Sequence, residues 1–385
     1  MSTVLVINAG SSSLKYELVD VDAGRSPASG QVERIGDHDG QVTHEIDGHT
    51  TTRCVPVADH REAMTLVIDL FAELGPSLVD AGIVAVGHRV VMGGTEIDGP
   101  VVVDDELLAT IERLSPLAPL HNPANLEAIG VARNRFPDLP HVAVFDTAFF
   151  HGLPPAAITY AIDRDIAKKY GIRRYGFHGT SHEYVSATGA HFLGQAMDPS
   201  LRQVVLHLGN GASASAVVGG QPLDTSMGMT PLEGLVMGTR TGDIDPAVIL
   251  HLSRNAGMST DEIDELFNHR SGMVGLTGEK DMREVHRLIA EGDAQACLAL
   301  DVYVHRLRKY VGAYAAVMGG IDVLTFTAGV GENDAVVRSE VAAGLAFLGI
   351  TVDPDLNTAP SRETRAISPE GFPVAVLVVP TDEEL

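Results

Sequence analysis

Basic residues are scarce in this chain of 385 residues: 27 Lys and Arg stand against 51 Asp and Glu, a formal charge of −24. That balance disfavours nucleic acid and anionic membranes as partners. It also means that a site for an anionic substrate needs arginines gathered locally. Cysteine is nearly absent; Cys54 and Cys297 lie far apart, which fits a reducing cytoplasm without disulfides. No apolar run reaches the roughly 18 residues of a membrane span; even residues 321–330 are short and hold Asp322. No basic region precedes an apolar stretch at the N-terminus, so residues 4–7 read as a first strand and not as a signal peptide. The chain has no G-x-x-x-x-G-K-[ST] opening a helix, which excludes a P-loop.

What the chain does have is a glycine-rich turn used twice. Residues 4–8 run into Ala9-Gly10-Ser11-Ser12-Ser13 and resume at 14–19; residues 204–208 run into Gly209-Asn210-Gly211-Ala212-Ser213 and resume at 214–218. Glycines let backbone approach an anion closely, and the adjacent N–H groups and hydroxyls supply donors. One such turn alone reads better as a hairpin loop. Two copies half a chain apart suggest a duplicated domain gripping a polyphosphate, hence a nucleotide-using phosphotransferase.

The length favours two domains, and the 45% apolar and 20% charged content is ordinary for a globular protein. Apolar, β-branched runs at 83–86, 142–145, 204–208, 323–327 and 374–379 read as buried strands of an α/β architecture. Asp59 predicts a helix cap ahead of Met64, Val67, Ile68 and Phe71; Asp245-Pro246 predicts another helix start, and Ser259 with Glu262 a capping box. A long helix is expected over about 293–318, stopped by Gly319-Gly320. The pattern breaks near residue 150, so the domains are placed at 1–149 plus 374–385 and at 150–373, the last strand returning to the first domain.

Arginines stand where the charge balance asks for them: Arg89 after the strand at 83–86, and Arg240 between glycines in Gly238-Thr239-Arg240-Thr241-Gly242. Arg173-Arg174 reads as a solvated pair or an intersubunit contact. Asp146 ends a strand, which suits a catalytic group or a helix cap. His178 and His182 could share a helix face, but no acidic partner completes a zinc motif; a donor to a phosphoryl group is the better role for His178. Gly329, Val330, Gly331, Glu332 and Asn333 form a third glycine turn, fit to lie against a base or ribose, though the dinucleotide-binding spacing fails. Met227, Met229 and Met237 read as packing.

Residues 6–16, with Gly87-His88-Arg89-Val90-Val91, residues 175–182, residues 207–211, and almost all of the stretch 224–246, closely resemble the signatures of the acetate kinase family. The resemblance runs from Val4 to the C-terminus. It implies two duplicated ribonuclease-H-like domains, as in actin, Hsp70 and sugar kinases, with an active-site cleft between them. It implies ATP-dependent phosphorylation of acetate, reversibly, with ATP and ADP as co-substrate, Mg²⁺ (or Mn²⁺) as cofactor, and a homodimer. Asn8 and Glu383 would position the metal, and Lys15 would lie near the phosphates. Asp146, His178 and Arg240 would be catalytic. Arg89 would hold the substrate carboxylate, and Val91, Leu120, Phe177 and Pro231 would line its pocket. Nucleotide contacts would come from His207, Leu208, Gly209, Asn210, Gly211, Asp281, Met282 and Arg283, and from the 329–333 turn. Met92 and Phe150 stand where the family generally has histidine, Asp382 where it has asparagine, and family members normally extend past the residue matching Leu385. A propionate or butyrate kinase is the near alternative, and a nucleotide-gated binding protein the alternative of another class.

Overall fold

The computed structural model describes residues 2–10, 12–46, 48–78, 81–119 and 121–381; Leu120, Asp382 and Glu383 lie outside them. The chain divides into two units, one running to His151 and one from Gly152 to Thr381.

The first unit is built on a sheet of β1 (Thr3–Ala9), β2 (Ser13–Asp20), β3 (Arg25–Glu33), β4 (Gln41–Ile46), β5 (His49–Cys54), β6 (Ile83–Val90), β7 (Val101–Val102) and β8 (His141–Phe145). Their order is β5-β4-β3-β2-β1-β6-β8-β7. Strands β1 to β5 form an antiparallel meander, whereas β6 runs parallel to β1 and β8 parallel to β6. Alternation sets the faces of β1: Thr3, Leu5, Ile7 and Ala9 are buried while Val4, Val6 and Asn8 are half-buried. The buried row meets Met64, Val67 and Phe71 of the helix His60–Leu74, each burial stabilising by about 1.5–3 kcal/mol. Asp59 caps that helix by accepting from Glu62 N.

The second unit repeats the plan with β9 (Arg202–Leu208), β10 (Ala212–Val218), β11 (Gln221–Thr225), β12 (Val323–Thr327), β13 (Arg365–Ala366) and β14 (Ala375–Val378), ordered β11-β10-β9-β12-β14-β13. β9, β10 and β11 form the meander; β12 is parallel to β9 and β14 to β12. Strands β3-β2-β1-β6-β8 and β11-β10-β9-β12-β14 thus share one order and one set of directions, which is the duplication that the repeated turns announce. Every residue of β12 is buried, as a strand covered on both faces requires. The helix Gly179–Phe192 packs on β9 and β12, and the long helix Ala294–Met318 on β9 and β10. Asp293 caps the long helix and Gly319 ends it in a left-handed conformation; Ser259 and Glu262 form the capping box on Thr260–His269.

The last strand does not return to the first domain. β14 pairs with β12 from Val323↔Ala375 to Phe326↔Val378. The physical reason lies in the repeat: β14 supplies the fifth strand of the second sheet, the place that β8 already fills in the first. The 329–333 turn also differs from expectation, since Ala328–Asn333 is itself a short helix, entered through Ala328 at φ 64°.

Candidate active site

Parallel strands end on one edge of a sheet, and in the first unit that edge gathers Asn8, Arg89 and Asp146. Asn8 pairs with Lys15 on one side and Arg89 on the other, so the three side chains form a row on the half-buried face of the sheet. Lys15 is exposed. Arg89 donates from Nε and Nη2 to the two carboxylate oxygens of Asp146, both at 2.8 Å. Asp146 is 2% exposed, directly after β8, and its N–H is held by Val90 O at 3.0 Å. Bidentate geometry of this kind fixes the guanidinium plane as well as its position.

The edge is braced from beneath by two asparagines of the helix Asn122–Arg135. Asn125 donates to Ala9 O at 2.7 Å and accepts from Val91 N at 3.2 Å; Asn122 accepts from Met92 N and donates to Met92 O. Val91, at 8% exposure, is therefore placed by the Asn125 side chain through its own N–H. The turn after β1 is closed by Gly10 N donating to Ser13 O, with Gly10 O accepting from His60 Nε2 at 2.7 Å.

In the second unit the corresponding edge holds the turn Gly209–Gly211. His178 stands at the entrance of the helix Gly179–Phe192 with φ 58°, a left-handed backbone uncommon for any residue but glycine and often found at functional positions. Its ring stacks on His207 at 4.3 Å, and its Nδ1 lies 2.9 Å from Ser213 Oγ. Arg240 reaches the same place. A Cβ on Gly211 would stand 3.4 Å from His178 Cε1 and 3.5 Å from Arg240 Nη1, so glycine there leaves room that a side chain would take. Arg240 is half-buried and its contacts are weak: Nη1 lies 3.5 Å from Pro231 O and 3.9 Å from Met237 Sδ. Among the described residues no carboxylate pairs with it. Burial pulls its pKa below the ordinary guanidinium value. A half-buried cation without an anion, beside a histidine and a glycine turn, is a site for an incoming anion.

Next to this turn a cavity of about 790 Å³ is lined by Gly209, Asn210, Lys280–Arg283, Gly329, Val330 and Asn333, among others. It brings together three segments that are far apart in sequence. The short helix Ala328–Asn333 beside it is held by Arg338, 1% exposed, which donates to Gly331 O, Glu332 O and the side chain and backbone of Asn357. Met282 is mostly buried, and Arg283 turns back onto Asp281, which it holds down to about 2. Glu332 faces elsewhere, accepting from Thr381 N at 3.0 Å.

Of the residues singled out in the sequence, Asn8, Lys15, Arg89, Val91 and Asp146 belong to the first unit. His178, Phe177, His207–Gly211, Pro231, Arg240, Asp281–Arg283 and 329–333 belong to the second. Leu120 and Glu383 lie outside the described residues. Phe177 is buried at 1% exposure, Leu208 is a core residue of β9, and Pro231 contributes the carbonyl facing Arg240. Arg174 is not a solvated surface cation: it pairs with Glu233 at 2.6 Å and donates to Ser226 O and Met227 O, holding the loop that leads to Pro231. His182 is a buried partner of Ser213 and Ser215. Sequence reasoning missed Asn122, Asn125 and Arg338, which bond backbone remote in sequence and follow no local pattern.

A family model described as the Acetokinase family matches residues 3–385. Two curated proteins named acetate kinase, from Clavibacter michiganensis subsp. michiganensis and Leifsonia xyli subsp. xyli, are 57% and 56% identical over 385 residues, all of this chain and 97% of each relative. The solved acetate kinase of Porphyromonas gingivalis is 42% identical with a TM-score of 0.93. A propionate kinase from Francisella tularensis subsp. tularensis is 40% identical with a TM-score of 0.94; each structure aligns with all of this chain over 97% of its own.

Proposed function

The chain belongs to the acetokinase family, and from that premise we propose that it transfers the terminal phosphoryl group of ATP to the carboxylate of acetate, reversibly, giving acetyl phosphate and ADP. The observation that carries this reading is Arg240: a half-buried guanidinium with no carboxylate partner among the described residues, beside His178 and the Gly209–Gly211 turn, next to a cavity of about 790 Å³. The cavity takes the nucleotide, and Arg240 with His178 takes the transferring phosphoryl group.

A carboxylate is already ionised at neutral pH, so the nucleophile needs no general base. Catalysis then rests on positioning and on donors around the charge of a loose phosphoryl transition state. Arg89, locked in plane by Asp146, orients the acid, and Val91 of the same unit borders its methyl group. The oxygen donors of Asn8 and Asp146, with Glu383 outside the described residues, are the hard ligands that Mg²⁺ takes when phosphates and waters complete its shell. Mg²⁺ held there would neutralise phosphate charge. The same reading makes the protein a cytoplasmic homodimer, in keeping with the helix Ala247–Ala256, which has no buried residue and exposes Ile249 and Leu250.

Acyl phosphate formed from MgATP and formate, acetate, propionate or butyrate, trapped as the hydroxamate, tests the reading. A kcat/KM maximum at acetate is expected, with Arg240→Ala lowering kcat by about 10³. A maximum at propionate would move the substrate by one methylene, a margin of about 1–3 kcal/mol. Near-wild-type turnover by Arg240→Ala would overturn the site.

A further inference from the structure

Ser215 lies on β10, fully buried, with one hydrogen-bonding neighbour among the described residues, Nδ1 of His182 at 2.8 Å. His182 Nε2 lies 2.6 Å from Ser213 Oγ, and Ser213 Oγ lies 2.9 Å from His178 Nδ1. A serine hydroxyl carries one proton. Ser213 therefore donates to one imidazole and accepts from the other, which couples the two rings.

The buried end sets the direction. Were His182 protonated on Nδ1, it would donate to Ser215, whose own proton would then have no acceptor among the described residues. A buried donor left unmatched is costly. With Ser215 donating to His182 Nδ1, every member is matched: His182 Nε2–H donates to Ser213, Ser213 donates to His178 Nδ1, and the proton of His178 stays on Nε2. His182 has a single ring proton to place, because burial, and then the neighbouring His207, push it well below the ordinary imidazole range. Among the groups facing the His178 ring are His207, stacked at 4.3 Å, Ser213 and the Arg240 guanidinium across Gly211.

We propose that Ser215, His182 and Ser213 form a one-way hydrogen-bond relay that holds His178 as the neutral Nε2–H tautomer, a donor to the anion bound beside Arg240. All three are positioning residues. The relay rests on the phosphoryl-binding role given above to His178 and Arg240, but the tautomer is read without turnover.

The experiment is long-range ¹H–¹⁵N NMR on the full chain labelled with ¹⁵N-histidine, at about pH 7.5, above the ordinary imidazole range. The His178 signals are assigned by their loss in His178→Gln. The expected wild-type pattern is an unprotonated Nδ1 and a protonated Nε2. Ser215→Ala removes the anchor, so the His178 signals move toward a mixture of tautomers, and kcat falls about tenfold while KM for MgATP changes less than about twofold. Ser215→Thr, which keeps the hydroxyl, restores the wild-type pattern. A wild-type His178 found as Nδ1–H or as imidazolium overturns the relay, and so does an unchanged tautomer in Ser215→Ala. If that variant does not fold, the wild-type spectrum decides alone. The expected tautomer in a protein that forms no acyl phosphate would overturn the functional reading and leave the relay standing.

Discussion

Arg89 and Arg240 carry the same charge into different surroundings, and substitution separates them. Arg89 is committed to Asp146, a carboxylate at 2% exposure. Arg89→Ala leaves that carboxylate buried without its cation, a loss of about 3–5 kcal/mol. We expect a lower urea midpoint, partly recovered in Arg89→Ala/Asp146→Asn, where no charge is stranded. Among the described residues Arg240 strands nothing, because its contacts there are a carbonyl at 3.5 Å and a thioether. Arg240→Ala is expected to stay within about 1 kcal/mol of wild type while losing turnover. Equal destabilisation by the two substitutions would show that Arg240 is a structural residue. Both arginines were legible in the sequence because an acidic chain makes local cations conspicuous. Their difference was not, since it depends on which residue folds against each.

At the scale of the element, the helix Asn122–Arg135 shows what sequence patterns do not reach. Its buried residues are Asn122, Asn125, Ala128, Ile129 and Ala132, two of them polar. An apolar stripe is therefore weak, and the sequence gives no clear sign that the helix braces a site. Asn125→Leu would leave Ala9 O and Val91 N without their partner. Each buried group left so costs about 1–3 kcal/mol, and we expect denaturant unfolding to show a loss of about 2 kcal/mol or more, with KM for acetate raised through Val91. An unchanged midpoint would mean that other groups take both bonds. The long helix Ala294–Met318 is the opposite case: an Asp cap and a terminal Gly-Gly pair are local signals, and both ends fall where they predict.

For the molecule as a whole, the charge of −24 and the buried histidines pull stability in opposite directions as pH falls. Protonating exposed histidines relieves repulsion, but between charges screened over about 8 Å that gain is small. His88 opposes it. His141 Nε2 donates to Phe136 O, so its Nδ1 accepts from His88 Nε2, at 2.9 Å. His88 is 2% exposed, and burial, then His141, push it down to about 3. Between about pH 6.5 and 3 the unfolded chain takes up a proton that the native protein refuses. Stability from this group is complete above the unfolded value and is lost as pH falls through that window, by at most about 1.4 kcal/mol per pH unit. We expect urea midpoints to drop from about pH 7.5 to about 5.5, and the drop to be shallower in His88→Gln. Identical slopes would exclude His88 as the source.

The sequence by itself determined the α/β class, the duplication, the capped helices and the family, because these are written in local runs: alternating apolar residues, glycine turns and cap spacings. Only the tertiary structure decided that the strand Ala375–Val378 closes the second sheet and not the first, since an apolar strand of four residues fits any buried sheet position and its partner β12 lies some fifty residues earlier. It also decided that Arg89 is held by Asp146, that Arg338 is tied to Asn357, and that Ser213 joins His178 to His182. Those are bonds between side chains and remote partners, with geometry set by packing, and no spacing in the chain encodes them.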